Sequence, residues 1–354
     1  MTRLSRRSAC LLLALAPLAT PVSRHAPLVP NALLLRVVDS AARAPVPNAE
    51  ISTVGRRGLT DAKGEIRILY PQDGELRVRV RQLGFRYVER TFRRDAASRA
   101  DEDTAVVALA RMQFALPQVV VRAERRCKDG NDAEHAPLSQ ASMELLRFGA
   151  EQFNNFRHAY PFDITMERRT SSTTAGRTMG RKVELDTTAS AQWGDRYTPG
   201  QVVVESGSNE YFVPLLFVSA LADSAFWARH CFAARGVESR DGRRLIRLDF
   251  SPTLDVRDPD WEGSAWLDSA RSVLARVDFR LTNLRRLIGP QQFEGYTVFS
   301  TPTPYIAMPD STLASLTIGV QRGPYQDVQR QGFKQTLVIR DVAYKRERPP
   351  PAER

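Results

Sequence analysis

Leu76-Arg77-Val78-Arg79-Val80-Arg81 alternates strictly between apolar and cationic side chains. A period of two puts Leu76, Val78 and Val80 on one face of a strand and the three arginines on the other, which is the signature of a half-buried β-strand. Working outward, Leu33 to Val38, Ala49 to Val54, Glu65 to Leu69, Tyr87 to Phe92 and Thr104 to Leu109 are further short β-type runs. Asp39 to Pro47 and Thr60-Asp61-Ala62-Lys63-Gly64 supply turn chemistry between them. Closely spaced strands with no helical period among them predict an antiparallel β-sandwich over residues 27–123.

The order of the turns adds a resemblance. Val37-Val38-Asp39, Pro45-Val46-Pro47-Asn48-Ala49, Thr60-Asp61-Ala62-Lys63-Gly64 and Leu83-Gly84-Phe85 follow one another as in the carboxypeptidase regulatory-like domain, a transthyretin-like sandwich that this segment resembles. That family normally has a glycine before the first valine of its opening strand, where this chain has Leu35-Arg36. The module carries no catalytic residues, so the resemblance implies a binding or docking role and no enzyme activity. Gln118-Val119-Val120-Val121, after Leu116-Pro117, resembles the strand that closes this module in outer-membrane TonB-dependent receptors.

The first 26 residues read as an export signal. Arg3, Arg6 and Arg7 precede the apolar run Leu11 to Ala19, which Pro17 and Pro21 keep too short to cross a bilayer. Ser5-Arg6-Arg7 also leaves a twin-arginine route open, and the cleavage point falls between Thr20 and Pro27. An exported address places the mature chain in the periplasm, at the outer membrane or outside the cell, with no transmembrane span. The net charge is +11, but of 51 basic residues only Lys63, Lys128, Lys182, Lys334 and Lys345 are lysine, and the arginines are dispersed among acids. Without a basic block interleaved with aromatics, nucleic acid is not an expected partner. A basic exterior suits anionic headgroups or acidic polysaccharide.

Two cysteines outlast the signal, Cys127 and Cys231. An oxidising compartment favours joining them; two separate thiols, or a nucleophilic Cys231 beside His230, are the other readings. Neighbours on a strand point to opposite faces, so the adjacency of His230 and Cys231 does not make a dyad.

Glu124 to Leu138 is polar and rich in turn formers and reads as a linker. Ser139 to Arg157 follows as a helix whose stripe of Met143, Leu146, Ala150 and Phe153, widened by Leu145 and Phe156, predicts a core-packed face. Residues 139–346 then form a larger domain, with residues 347–354 as a disordered tail. Asp241-Gly242 is a hairpin turn, and Ile246, Leu248 and Phe250 point inward on its exit strand while Arg247 and Asp249 point out. Gly263 to Asp268 and Val273 to Leu281 form a second hairpin with Val273, Ala275, Val277, Phe279 and Leu281 on one face. Leu313 to Val320 and Gln335 to Tyr344 are further strands, and Phe212 to Arg229 is the one apolar helix among them. The fold class is mainly β: the sandwich, then a curved antiparallel sheet or half-barrel with one or two helices. Gly263-Ser264-Ala265-Trp266-Leu267-Asp268, with Leu274 to Phe279 after it, resembles the strand pair of half-barrel proteins related to periplasmic lipoprotein carriers, which implies an apolar groove.

Chemistry is sparse. His25, His135, His158 and His230 form no zinc motif, and no nucleophile elbow or phosphate loop occurs. Asp255, Asp258 and Asp260 miss the EF-hand spacing and enclose Arg257, so they are expected in a solvated loop. No cofactor or metal is expected. The candidate binding surfaces are Arg77, Arg79 and Arg81 on the sandwich, and Trp266 and Phe279 as either packed core or ligand wall. The function expected from sequence is a non-enzymatic envelope protein whose sandwich docks protein or carbohydrate. The alternative is a carrier of lipid or lipidated peptide in a half-barrel over residues 160–345, and a hydrolase is a third class without a motif.

Overall fold

The computed structural model describes residues 31–94, 102–111, 127, 136–174, 177–192, 197–205, 211–212, 218, 220–240, 242–284, 290–320, 329–345 and 349. The signal reading and the Gln118–Val121 strand lie outside these residues, as do most of the linker and the tail.

Seven strands build the N-terminal unit: β1 (Ala32–Asp39), β2 (Glu50–Thr53), β3 (Arg56–Leu59), β4 (Glu65–Leu69), β5 (Glu75–Arg81), β6 (Val88–Arg93) and β7 (Glu102–Leu109). They form two sheets, β4-β1-β7 and β3-β2-β5-β6. Leu33, Leu35 and Val37 of the first face Leu76, Val78 and Val80 of the second in one core, as the alternation on β5 requires. Two details depart from the sequence reading. β3 pairs with β2 across Thr53↔Arg56, and its exposed arginines hid it. β1 and β7 run parallel, so the sandwich is not wholly antiparallel.

The second unit begins with α1 (Ala136–Ala159), three residues earlier than expected and inside the supposed linker. After it come β8 (Phe162–Thr174), β9 (Arg177–Ala189), β10 (Val204–Glu205), β11 (Tyr211–Phe212), α2 (Ser224–Arg229), β12 (His230–Arg240), β13 (Arg243–Pro252), β14 (Trp261–Asp268), β15 (Val273–Leu281), β16 (Pro290–Thr303), β17 (Ile306–Val320) and β18 (Gln329–Tyr344). Of the helix expected over Phe212 to Arg229, the described residues show a 3-10 turn over Ala220–Ala222 and then α2. Asp223 caps its start by accepting from the Ala225 amide, and Phe212 belongs to β11.

Nine strands form one antiparallel sheet in the order β12-β13-β14-β15-β16-β17-β18-β8-β9, curved around α1. Its hollow is filled by the helix stripe: Leu145, Leu146, Ala150, Phe153 and Phe156 share a core with Ile246, Leu248, Phe250, Val277 and Phe279. Phe156 is the aromatic hub, with ring centres 5.2 Å from Tyr160, 6.2 Å from Phe162 and 6.4 Å from Tyr344. Phe279 sits directly between Gly263 and Gly295 on the flanking strands, and a Cβ on Gly263 would lie 1.9 Å from the Asp278 carbonyl oxygen. A Cβ on Gly295 would stand 2.9 Å from the Phe279 ring and one on Gly263 3.0 Å from that of Phe250, so aromatic rings fill the space the missing side chains leave.

The sandwich is docked on α1. Arg81 reaches Glu151 at 3.4 Å and lies 4.1 Å above the Phe148 ring. Beside it, Gln152 Nε2 donates to the Asn48 carbonyl oxygen at 3.2 Å and also bonds to Gln82. Asn48 Nδ2 donates to Thr303 Oγ1 and to the Pro304 carbonyl, both at 3.0 Å. Gly84, with φ +78°, leaves room for Ser272, whose Oγ would stand 2.6 Å from a Cβ there. Buried amides of this kind are costly to orphan. Gln152→Leu is expected to destabilise the protein by about 1–3 kcal/mol, read as a lower urea midpoint at unchanged slope.

Candidate functional site

Alternation on the large sheet gives each strand an inner face toward α1 and an outer face away from it. The outer residues of β12 to β17 border an open cleft of about 570 Å³. Cys231, Ala233 and Arg235 lie along β12, Arg247, Asp249 and Ser251 along β13, and Glu262 and Ser264 along β14. Asp278 and Arg280, Glu294 and Tyr296, and Leu313 and Ser315 complete it from β15, β16 and β17. Phe250 and Phe279 border it at the floor, beside Gly263 and Gly295. A volume in this range accommodates a small organic ligand or a segment of a longer one.

One end is closed by a disulfide between Cys127 and Cys231, whose Cα atoms are 5.8 Å apart, within the ordinary span for such a bond. The joined reading of the two cysteines is therefore the one the structure contains, and Cys231 is not a nucleophile paired with His230.

Charges in the cleft are held by one another. Asp249 accepts from Ser264 Oγ at 2.6 Å, from Arg247 Nε at 2.8 Å and from Arg235 Nε at 3.0 Å. Burial alone would raise its pKa, but these three donors outweigh it and hold the carboxyl below its usual range. Arg280 pairs with Glu262. Arg276 donates to Asp278 at 2.7 Å and its guanidinium lies 3.7 Å above the Tyr296 ring. The lining is thus a fixed ladder of cations and anions interleaved with Tyr296, Leu313 and Ala233, able to meet apolar groups and hydrogen-bonding groups together.

The residues singled out from sequence separate in the structure. Phe279 is packed core on the inner side, with rings of Trp261 and Phe293 at 5.4 and 6.4 Å. Trp266 is on the other face, where it donates from Nε1 to Asp278 at 2.7 Å beneath Arg240 and Arg247, and it packs with Leu245 and Ala275. The pair does not make one ligand wall. A bulge between Trp266 and Leu267, where Leu274 and Arg276 are the partners, turns Ala275 out of the inward row predicted for it. Arg77 and Arg79 both pair with Glu89, at 2.9 and 3.2 Å, while Arg81 is spent on α1. The three arginines share one face of β5, where Arg77 and Arg79 stay exposed beside Glu89.

The apolar groove that the half-barrel resemblance implies for the second domain is not found in the sheet's hollow, which the helix fills. Where α1 meets β15 and β17, Leu145, Leu146, Leu274 and Ala307 border a gap of about 10 Å³, the size of one water. The outer cleft was missed because its lining alternates in sequence with core residues and reads as ordinary solvated strand faces.

Asp260 is another correction. It is fully buried, not in a solvated loop, and accepts from Tyr197 Oη at 2.5 Å. Nearby His230 has Nδ1 2.8 Å from the Phe226 carbonyl oxygen and Nε2 2.9 Å from that of Trp261, with Phe226 stacked on its ring at 3.9 Å. Burial pushes the His230 pKa down, and the pull of Asp260 and the two carbonyls does not reverse it. A histidine whose pKa is lower folded than unfolded takes up a proton on unfolding. Stability is therefore full above about pH 6.5 and falls as the pH drops below it. We expect the urea midpoint to fall between about pH 7 and about pH 5.5, and to fall less in His230→Gln; equal slopes in the two proteins would contradict this placement of the proton.

Among the described residues no three His, Cys, Asp or Glu side chains cluster to hold a metal ion, and no helix is long and apolar enough to cross a membrane.

No family model and no curated protein matches the chain, so the regulatory-like resemblance of the sandwich rests on its residues alone. Among solved structures, the chain is similar to a DUF1329 family protein from Desulfovibrio piger, with 12% identity over 58% of this chain and 93% of that one and a TM-score of 0.32. It is also similar to a LolA superfamily protein from Nitrosomonas europaea, with 10% identity over 53% of this chain and 87% of that one and a TM-score of 0.27. At these scores neither likeness bears on what the chain does.

Proposed function

We propose that this is an exported, non-catalytic protein of the bacterial envelope that binds a lipid or lipidated peptide in the outer cleft of its half-barrel. The observation carrying this reading is the composition of the cleft. Its walls offer Ala233, Tyr296 and Leu313 to an acyl chain, while the Asp249 and Asp278 ladders offer both donors and acceptors to a headgroup or a peptide backbone. Ligands with one apolar and one hydrogen-bonding part match such a lining; a simple anion does not, because every arginine named there already has a carboxylate partner. The sandwich acts as a rigid brace for α1, which in turn fixes the curvature of the sheet.

Native mass spectrometry of the protein purified from its own envelope tests this. The expected spectrum shows an added mass that fragments as lipid or lipopeptide and is lost in Ser315→Trp, which fills the cleft from β17 without touching the ion-pair ladders. An added mass that persists in that variant, or one that is a metal ion, would overturn the reading.

A further inference from the structure

The nine-stranded sheet ends on two edges that differ in kind. At β12 the ladder to β13 is broken by a bulge between Ala234 and Val237, around Gly236 at φ +98°, and Cys231 is tied by the disulfide. Bulges and covers of this sort are how edges are kept from pairing. At β9 the ladder to β8 is unbroken from Asp163↔Ala189 to Ser172↔Gly180, and Arg177 to Val183 are all exposed. On its outer face Val183 and Leu185, which share the face of Glu167 and Arg169, are 64% and 69% exposed. A long edge with bare apolar side chains offers a row of backbone donors and acceptors that no strand pairs among the described residues.

The sequence of this edge is complementary to itself. Two copies related by a two-fold axis perpendicular to the sheet keep their faces aligned, so each residue meets one of the same parity. Centring the axis on Val183 places Lys182 opposite Glu184 and Glu184 opposite Lys182, Arg181 opposite Leu185, and Gly180 opposite Asp186. No like charges oppose each other, and Val183 and Leu185 of both copies form one apolar patch. Shifting the centre to Lys182 sets that lysine against itself, shifting it to Glu184 does the same for the glutamate, and shifting it to Leu185 opposes Glu184 with Asp186. Directly opposed like charges destabilise a sheet pair, whereas opposed unlike charges support it. We propose that β9 is a dimerisation edge, on which a second copy of this chain pairs antiparallel about Val183 to make one continuous sheet across the two protomers. The outer cleft, bordered by β12 to β17, stays open in that arrangement.

Sedimentation velocity on the mature chain tests the proposal, with circular dichroism to verify folding of each variant. The wild type is expected to sediment as a dimer. Lys182→Glu alone and Glu184→Lys alone are expected to sediment as folded monomers, since each puts two like charges across the seam, and the double exchange Lys182→Glu with Glu184→Lys is expected to return the dimer. A monomeric wild type at all concentrations, a dimer indifferent to either single variant, or a double exchange that stays monomeric would overturn it.

Discussion

Removing the disulfide with Cys127→Ser and Cys231→Ser is expected to cost the protein about 4–5 kcal/mol, because the bond closes a loop of 104 residues and restrains the unfolded chain accordingly. The loop contains α1, β8, β9 and α2, so in the unfolded state the bond holds the helix within reach of the strand it must pack against. In the folded state it pins the edge strand β12 to the segment that enters α1. The measurement is urea unfolding of the wild type with and without reductant, beside the double variant. Reduced wild type and double variant should share a midpoint well below that of the oxidised protein. Coincidence of all three curves would show that the bond contributes nothing to stability. Since Cys127 and Cys231 also border the cleft, reduction should weaken ligand retention together with stability.

Phe279→Ala is expected to cost about 3–5 kcal/mol. The ring is 3% exposed and packs against Trp261 and Phe293. It also occupies the space beside Gly295, which has no side chain to collapse into the void. A cavity next to glycine leaves few atoms that can move into it, so relaxation recovers little of the loss. Chemical denaturation checks the cost, and the ligand mass in native spectra checks the role. If the variant kept its stability but lost its ligand, Phe279 would be a ligand wall and not core.

The contrast between Phe279 and Trp266 shows how much of this fold is legible in the sequence. Strict alternation on β5 and on β13 fixes which side chains face in, because each strand has one buried face and the period of two leaves no second solution. The helix stripe of α1 is legible for the same reason at its own period. β3 is not, since its four residues carry two arginines and no apolar alternation, and it exists by pairing with β2. Ala275 is not legible either: the bulge that turns it outward depends on the partner strand, which local sequence does not contain. Among the described residues of Phe212–Arg229, Phe212 pairs in a strand and Asp223 caps a separate short α2, a division that the apolar character of the run does not reveal. Cys127 and Cys231 were paired by compartment chemistry alone. The cleft was the least legible feature, because its charged lining comes from six strands whose outer faces each look like solvated surface until they are set side by side. The buried Asp260 belongs with it: Tyr197, 63 residues away, donates to it and joins the adjacent Trp261 amide in making burial of that carboxylate tolerable.

The most direct test of the central claim is a titration of a fluorescent fatty acid into the purified protein and into Ser315→Trp. The account predicts saturable one-to-one binding to the wild type, abolished in the variant while its unfolding midpoint is unchanged. Absence of saturable binding, or binding indifferent to a tryptophan in the cleft, would contradict it.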